Sequence, residues 1–213
     1  MQLLVRDKPV VATRVAFYGC MMADESPPEY RFDPDNRVVG LLTRYGVSLA
    51  RLQASDLELL RYWRNHPSIR GVMLDREIIT EEQQKKWFAS IDNDRNFYSL
   101  IVYEGKAIGV TNTKNVDLTT MSGEGGMFIW DEQHHRSIVP FKAAISGMDW
   151  MFFEFGLRRM EARVLPTNRK ALRYNTMLGY VFDREVDGVL HYHATPESYA
   201  RQADTIRSLL TEE

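Results

Sequence analysis

One segment in the second half of the chain, residues 141–155, restricts the fold more than any other. Its sequence, FKAAISGMDWMFFEF, is apolar almost all the way round a helix, and Gly156 follows as a stop signal. A helix that lacks a polar face is buried by other elements on several sides. Next along the chain, Met160–Leu165 predicts a strand, and Asn168–Leu178 predicts a helix that ends at Gly179. The pattern indicates a mixed α/β protein with this helix inside it.

Local signals on either side complete the order of elements. Ser55 is a plausible N-cap of a first helix that ends at His66-Pro67, and Thr80 opens a capping box for a second. Tight turns at Glu104-Gly105 and Asp187-Gly188 predict two hairpins. The other predicted elements are strands over 125–130 and within the hairpins, and a terminal helix over 196–210. The predicted order is ββ-αα-βββ-α-β-α-ββ-α.

Composition excludes several classes of protein. The chain has 213 residues, of which 26% are charged, and its net charge is −2. That balance gives no overall attraction for nucleic acid or for an anionic membrane. Cys20 is the only cysteine, so an intramolecular disulfide and a cysteine-based zinc site are excluded. We therefore expect a soluble cytoplasmic protein with neither a nucleic acid nor a membrane as partner.

The first 46 residues differ from the rest. Residues 10–18 favour a strand, residues 23–36 carry three prolines and predict an irregular loop, and Tyr45-Gly46 predicts a turn between two short strands. This N-terminal extension (1–46) could be an extra hairpin, an edge strand or the arm of a homodimer. Residues 47–213 form the predicted main domain.

Two pieces of sequence resemble the GCN5-related N-acetyltransferase (GNAT) superfamily. Residues 155–168, FGLRRMEARVLPTN, are similar to its pattern F-x-LGL-x-R-[IVM]-x-x-x-V-x-P-x-N, and Asn168-x-x-Ala171 leading to Leu178-Gly179-Tyr180 is similar to N-x-x-[AS]…LG[FY]. Upstream, residues 60–65 and 79–88 resemble the nucleotide-amino-sugar N-acetyltransferases of the pseudaminic acid type. The ribosomal-protein N-terminal acetyltransferases have a similar layout. The resemblance covers residues 47–194.

The resemblance implies a GNAT-like mixed central sheet in which two parallel strands splay apart, with helices on its sides and a β-rich extension before it. Acetyl-CoA would enter the gap as co-substrate, because unpaired backbone groups of a splayed strand can bind the amides of a pantetheine arm. Its diphosphate would lie at the start of the helix near Phe141. The residues implied in acetyl-CoA binding are Phe128, Ile129, Trp130, Arg136, Ser137, Ile138, Val139, Asn168 and Lys170.

The chain departs from the family in the loop that would bind diphosphate. Ile138 and Pro140 occupy the two positions where the family has glycine, and proline also lacks an N–H donor. Two alternatives follow. The Arg136 guanidinium and the remaining amides compensate for the lost donors, or diphosphate binding is weakened or lost.

Amine acetylation needs a base for the proton of the amine. The candidate is Glu124, at the head of the 125–130 strand, which is similar to the acid that often precedes G-[YF] in this strand of ribosomal-type relatives and could act through water. For the acid that protonates the leaving thiolate, many relatives have tyrosine seven residues after the asparagine. Here Asn175 occupies that position and Tyr174 precedes it. Side chains of successive residues on a helix differ in direction by about 100°, so Tyr174, one position earlier, is expected to point away from the sulfur. Asn175 could hydrogen-bond the thioester but has no titratable proton.

Residues of the first two helices would form the acceptor cleft. The candidates are Asn65, Arg70, Glu77 and Trp87, of which Arg70 could pair with a diphosphate and Trp87 could either stack on a ring or anchor the core. His191 and His193 share a face of a strand and could in principle bind a metal ion, although no third ligand is evident, and we expect no metal.

These features predict an N-acetyltransferase that uses acetyl-CoA and a small-molecule amine, preferably a nucleotide-linked amino sugar. A protein N-terminus is the alternative acceptor. A binding module that has kept the GNAT fold but lost catalysis is a further alternative, favoured by Ile138, Pro140 and Asn175.

Overall fold

The computed structural model describes residues 26–33 and 41–210. Within them, eight strands form one sheet in the order β1-β2-β3-β4-β5-β6-β8-β7. The strands are β1 Leu41–Arg44, β2 Val47–Arg51, β3 Phe97–Tyr103, β4 Lys106–Asp117, β5 Ser122–Ile129, β6 Arg159–Val164, β7 Val181–Val186 and β8 Val189–Ala194. Neighbouring strands pair in antiparallel fashion except β5 and β6, which are parallel.

Helices cover both faces of this sheet. They are α1 Leu57–Asn65, α2 Pro67–Arg70, α3 Glu81–Ile91, α4 Val139–Asp149, α5 Arg169–Met177 and α6 Pro196–Leu210. The first three pack with β2–β5 on one face, which we call the α1 face, and α4 and α6 pack on the other, the α4 face. None of the described helices is both long and apolar enough to cross a membrane. The predicted mixed α/β fold with helices on both faces of the sheet is confirmed.

Turn chemistry explains why the hairpins were predictable. Both residues of each two-residue turn have positive φ, a geometry that matches the twist of the flanking strands. The turns are Tyr45-Gly46, Glu104-Gly105 and Asp187-Gly188. The strand predicted over residues 10–18 lies outside the described residues, and the division of the chain after residue 46 stays a prediction.

Two helix boundaries differ from expectation. Asp56 rather than Ser55 precedes α1, because residues 54–56 already form a short 3-10 turn. The buried helix α4 begins at Val139 rather than near Phe141, because Pro140 is tolerated in the first turn, where its missing N–H has no helical partner. It also continues into a π-helical turn, Trp150–Glu154. The first helix ends before His66-Pro67 as predicted, and Pro67 then starts the short helix α2.

A buried acid holds α6 against the rest of the α4 face. Asp149, at the end of α4, is 5% exposed. It accepts hydrogen bonds from Tyr199 Oη at 2.7 Å and Tyr45 Oη at 3.1 Å, and it pairs with the Arg207 guanidinium. Burial and the Asp149 charge raise the pKa of Tyr199, which keeps this phenol a donor. The network joins α4, α6 and the β1–β2 turn.

Candidate active site

The parallel strands β5 and β6 pair over only part of their length. Their register contains three pairs, Ser122↔Arg159, Gly123↔Met160 and Glu124↔Glu161. Beyond Glu124, β5 continues beside β4 as far as Ile129, and β6 continues beside β8 as far as Val164. The two strands therefore part after Glu124 and form a fork whose inner edges are not paired with each other. The splayed strands expected from the family resemblance are confirmed.

Side chains of β5 alternate between the two faces of this fork. Phe128 packs on the α1 face with Trp63 and Trp87, whereas Met127 packs on the α4 face with Val139. Glu124 and Gly126 share the face of Phe128 by the same alternation, and Gly125 shares the face of Met127. The head of the fork thus presents a carboxylate to one side only.

Glu124 is held between two cations. Its Oε1 lies 3.2 Å from Lys114 Nζ, and its Oε2 lies 3.0 Å from an Arg163 guanidinium nitrogen. Lys114 is directly opposite on β4, and Arg163 reaches across the fork from β6. The Glu124 side chain is only 19% exposed, and the two ion pairs hold its carboxylate at the head of the fork.

An aromatic wall stands beside this carboxylate. Burial and the Glu124 charge raise the pKa of Tyr98 to about 12, against the opposing effect of Arg64. Tyr98 therefore remains a hydrogen-bond donor at neutral pH. Trp87, from α3, meets the Tyr98 ring edge-on with 5.0 Å between centroids. Trp87 is thus an anchor between α3 and the sheet and also part of the wall on the Glu124 side.

The other predicted acceptor residues lie on the α1–α3 connection. Asn65 is 1% exposed, and its amide donates to the Ile79 carbonyl and accepts from the Ile79 N–H, both at 2.8 Å. It fixes the segment before α3 instead of presenting its amide to solvent. Arg70 is half-buried and Glu77 is exposed. Within the described residues no hydrogen bond or ion pair links either of them to Glu124, so the structure does not bring all four candidates together.

The loop between β5 and α4 is organised largely by its own residues. His135 Nε2 donates to the Ile129 carbonyl at 2.9 Å and ties the loop to the end of β5. Ser137 Oγ donates to the His134 carbonyl and accepts from the Val139 N–H, and the Ser137 N–H donates to the same carbonyl. Of the backbone amides of residues 136–139, those of Arg136 and Ile138 have no partner among residues 26–33 and 41–210. The Arg136 side chain is exposed.

Trp130 closes the other side of this loop. It is 5% exposed, its Nε1 donates to the Ala107 carbonyl at 3.1 Å, and its ring stacks on Trp63 at 5.7 Å between centroids and 4° between planes. With Phe128 and the 8%-exposed Ile129, it belongs to the end of β5 that was predicted to bind the acyl carrier. Here only the backbone of these residues faces the fork, because their side chains pack into the core.

Helix α5 supplies the remaining candidates. Asn168 caps it by accepting from the Ala171 N–H at 3.1 Å, and Lys170 is exposed in its first turn. Tyr174 donates to the Pro140 carbonyl at 2.7 Å, and its ring lies 4.6 Å from that of Phe141. Burial raises the pKa of Tyr174 well above its usual value, so the phenol stays protonated. Asn175, one position on, is half-buried.

The two histidines of β8 face charged partners. His191 lies opposite Arg163, and His193 lies opposite Glu161. No group of three His, Cys, Asp or Glu side chains suited to a metal ion occurs in the part of the chain that the structure describes.

Sequence reasoning missed Lys114, Arg163, Tyr98 and His135 as parts of the site. Lys114 and Arg163 reach Glu124 from other strands, and the strand register brings them there. Tyr98 lies two strands away on β3, where burial and the Glu124 charge raise its pKa. The contact of His135 with the Ile129 carbonyl depends on the path of the loop. No local sequence pattern predicts these contacts.

A family model and a curated relative both relate this chain to the acetyltransferases. The family model described as "Acetyltransferase (GNAT) domain" matches residues 47–181. Acetyltransferase PseH of Campylobacter jejuni is 26% identical over 141 residues, which cover 66% of this chain and 87% of that protein.

Solved structures share the fold. Apo FdhC, described as a nucleotide-linked sugar GNAT, superposes with a TM-score of 0.68 at 16% identity, over 81% of this chain and 99% of the other. Spermidine N-acetyltransferase from Vibrio cholerae, in complex with CoA and spermine, gives 0.66 at 15% identity, over 74% and 99%. With the fork, its carboxylate and the family match over residues 47–181, this chain belongs to the GNAT acetyltransferase family and is an N-acetyltransferase.

Proposed function

We propose that the protein transfers the acetyl group of acetyl-CoA to the primary amine of a small acceptor, a nucleotide-linked amino sugar. The observation that carries this proposal is the fork between β5 and β6, with the Glu124 carboxylate fixed at its head. An unpaired strand edge can bind an arm that contains amides, and a carboxylate next to it can receive a proton. Both requirements for acetyl transfer to an amine therefore occur at one place.

The residues around the fork suit the parts of acetyl-CoA. The β5 edge beyond Glu124 would bind the pantetheine arm, and the thioester supplies the acetyl group when bound. The amides of Arg136 and Ile138, which have no partner in the described part of the chain, would hold the diphosphate at the start of α4 together with the Arg136 guanidinium. The exposed Lys170 would meet a further phosphate. These groups take the place of the glycine-rich loop of relatives.

The proton steps can be assigned to residues of the chain. As the C–N bond forms and the C–S bond breaks, the proton of the amine passes to Glu124 and the thiolate gains one. Backbone N–H groups of β5 would polarise the carbonyl. Tyr174 stays protonated, but its hydroxyl donates to the Pro140 carbonyl, in keeping with the expectation that it points away from the sulfur, so it would have to exchange that bond to protonate the thiolate. Asn175 could only hydrogen-bond the thioester.

The nucleotide-linked amino sugar is supported by the α1 face. Lys114 and Arg163 bring cations to the Glu124 site, and Trp87 with Tyr98 offers an aromatic wall. Arg70, at the end of α2, could pair with a diphosphate. The likeness to PseH and to a nucleotide-linked sugar GNAT points the same way.

Thermal melting tests the first half of the proposal. A ligand at a hundred times its Kd stabilises the native state by about 2.7 kcal/mol, which corresponds to a rise in Tm of roughly 5–10 °C for a chain of this size. We expect that rise with millimolar acetyl-CoA and none with acetyl phosphate. An unchanged Tm with acetyl-CoA would overturn the proposal.

Release of free thiol from acetyl-CoA tests the acceptor. The probes are a nucleoside-diphosphate-linked amino sugar, spermine and a peptide with a free N-terminus, each with the purified chain. We expect the amino sugar to give the highest kcat/KM. A higher value for the peptide or for spermine would replace the proposed acceptor but retain acetyl transfer.

A further inference from the structure

Three residues form a row across the α1 face beside Glu124. Tyr98 on β3 lies opposite Asn112 on β4, and Asn112 lies opposite Gly126 on β5. Residues paired in this way project to the same face of the sheet. Lys114 and Glu124 form the next row, so Asn112 and Glu124 are diagonal neighbours. The row runs from the aromatic wall to the fork.

Gly126 makes a depression at the end of this row. It is exposed, and along β5 its neighbours on the same face are Glu124 and Phe128. A Cβ built on Gly126 would lie 2.9 Å from Asn112 Oδ1 and 3.4 Å from Asn112 Nδ2. The amide of Asn112 therefore borders the space that a side chain would fill. Since the last β5–β6 pair is at Glu124, this depression opens at the second residue inside the fork.

The amide of Asn112 is available to a ligand. Its side chain makes no hydrogen bond with any group in residues 26–33 or 41–210, although an amide offers one acceptor oxygen and two donor hydrogens. The neighbouring Glu124 carboxylate accepts only. Two acceptor groups thus border one depression that has no side chain of its own.

We propose that the depression at Gly126 is the subsite for the reacting amine and that Asn112 determines its specificity. This inference rests on the proposed acetyl transfer. A primary amine that gives one hydrogen to Asn112 Oδ1 and one to Glu124 has both N–H directions fixed, so its lone pair is directed away from them towards the fork. A hydroxyl has a single hydrogen and leaves one acceptor unsatisfied, as does a neutral secondary amine. The site therefore selects primary amines.

Substitutions of Asn112 test this role. Asn112→Ala should lower kcat/KM for a primary amine about tenfold and lower the preference for primary over secondary amines, with the same melting temperature and the same Tm rise with acetyl-CoA. Asn112→Asp, which keeps an acceptor oxygen, should restore the preference. If Asn112→Ala retains both kcat/KM and the preference, the inference is wrong.

Gly126→Ala tests the depression itself. The added methyl group displaces the far end of the flexible Asn112 side chain and fills the space, so KM for the amine should rise about tenfold or more. Gly147→Ala is the matched control, because its Cβ meets Leu49 Cδ1 at an ordinary 3.5 Å, and it should leave KM unchanged. An unchanged KM in Gly126→Ala would also contradict the inference.

The melting and kinetic measurements distinguish failure of acetyl-CoA binding from failure of the amine subsite. If the wild-type chain shows no Tm rise with acetyl-CoA, the proposed function fails. If that rise is present and both Asn112→Ala and Gly126→Ala act as wild type, only the amine subsite fails.

Discussion

Gly125 and Gly126 are adjacent in β5, yet they border two different environments. On the α1 face, Gly126 is exposed beside Glu124 and Asn112. On the α4 face, a Cβ on Gly125 would meet Met160 Sδ at 2.8 Å and Tyr180 Oη at 2.9 Å. Charged groups and solvent lie on one side of the strand, and a packed core lies on the other.

The two faces differ in the group that could accept a proton, whereas burial raises the pKa of tyrosines on both faces, Tyr98 on the α1 face included. Burial raises the pKa of Tyr174 and Tyr180 on the α4 face. Both phenols therefore remain neutral donors and cannot accept a proton from an amine. Glu124, on the α1 face, is the carboxylate at the fork and is held by Lys114 and Arg163. We therefore propose that the proton of the amine is accepted on the α1 face of the fork, where Glu124 lies.

Of the variants that test this difference between the two faces, Glu124→Gln should have the largest effect, and the effect is on turnover. The amide keeps the shape of the side chain but cannot take a proton, so turnover should fall on the order of a hundredfold or more. The loss should be greatest at low pH, where the acceptor arrives as an ammonium ion, and should shrink as pH rises and the amine deprotonates. Steady-state rates between pH 6 and pH 9 measure it.

Glu161→Gln is the control for this variant. Glu161 lies directly opposite Glu124 on β6 but pairs with Arg159, so its substitution should leave the pH profile as in the wild type. A Glu124→Gln profile parallel to that of the wild type would exclude Glu124 as the base.

Gly125→Ala should have the second largest effect, which is a decrease in the free energy of unfolding. Its methyl group would enter the packed α4 face, and overpacking of this kind typically costs about 1–3 kcal/mol. Gly126→Ala faces a flexible side chain near solvent and should change the free energy of unfolding much less. Urea unfolding of both variants measures the difference, and equal destabilisation would show that the two faces are not distinct.

Tyr174→Phe should have the smallest effect. It removes the hydrogen bond to the Pro140 carbonyl, which should lower the free energy of unfolding by about 1 kcal/mol. Tyr98→Phe, on the other face, makes a matched control. If Tyr174 also protonates the thiolate, Tyr174→Phe lowers kcat without changing KM for the amine. An unchanged kcat would assign Tyr174 a structural role only.

Much of the fold was predictable because its signals are local. The capping box at Thr80 and the turns at Glu104-Gly105 and Asp187-Gly188 involve residues within four positions of one another. The fork was expected only from the family resemblance, since no local pattern marks where two parallel strands separate. Glu124 was likewise identified from the family resemblance.

The rest of the site depends on register. Arg163 is far from Glu124 in sequence and reaches it only because β5 and β6 pair as they do. Asn112 meets Gly126 through the pairing of β4 with β5, which periodicity does not specify. The position of Tyr174 against Pro140 likewise follows from how α4 and α5 pack, not from spacing along α5.

The parallel stack of Trp63 on Trp130 has a practical consequence. It joins helix α1 to the end of β5, so the two indoles lie at the junction of the acceptor wall and the loop before α4. Two chromophores held this close couple their electronic transitions. The near-ultraviolet circular dichroism of the unlabelled chain should therefore report any movement between those two parts.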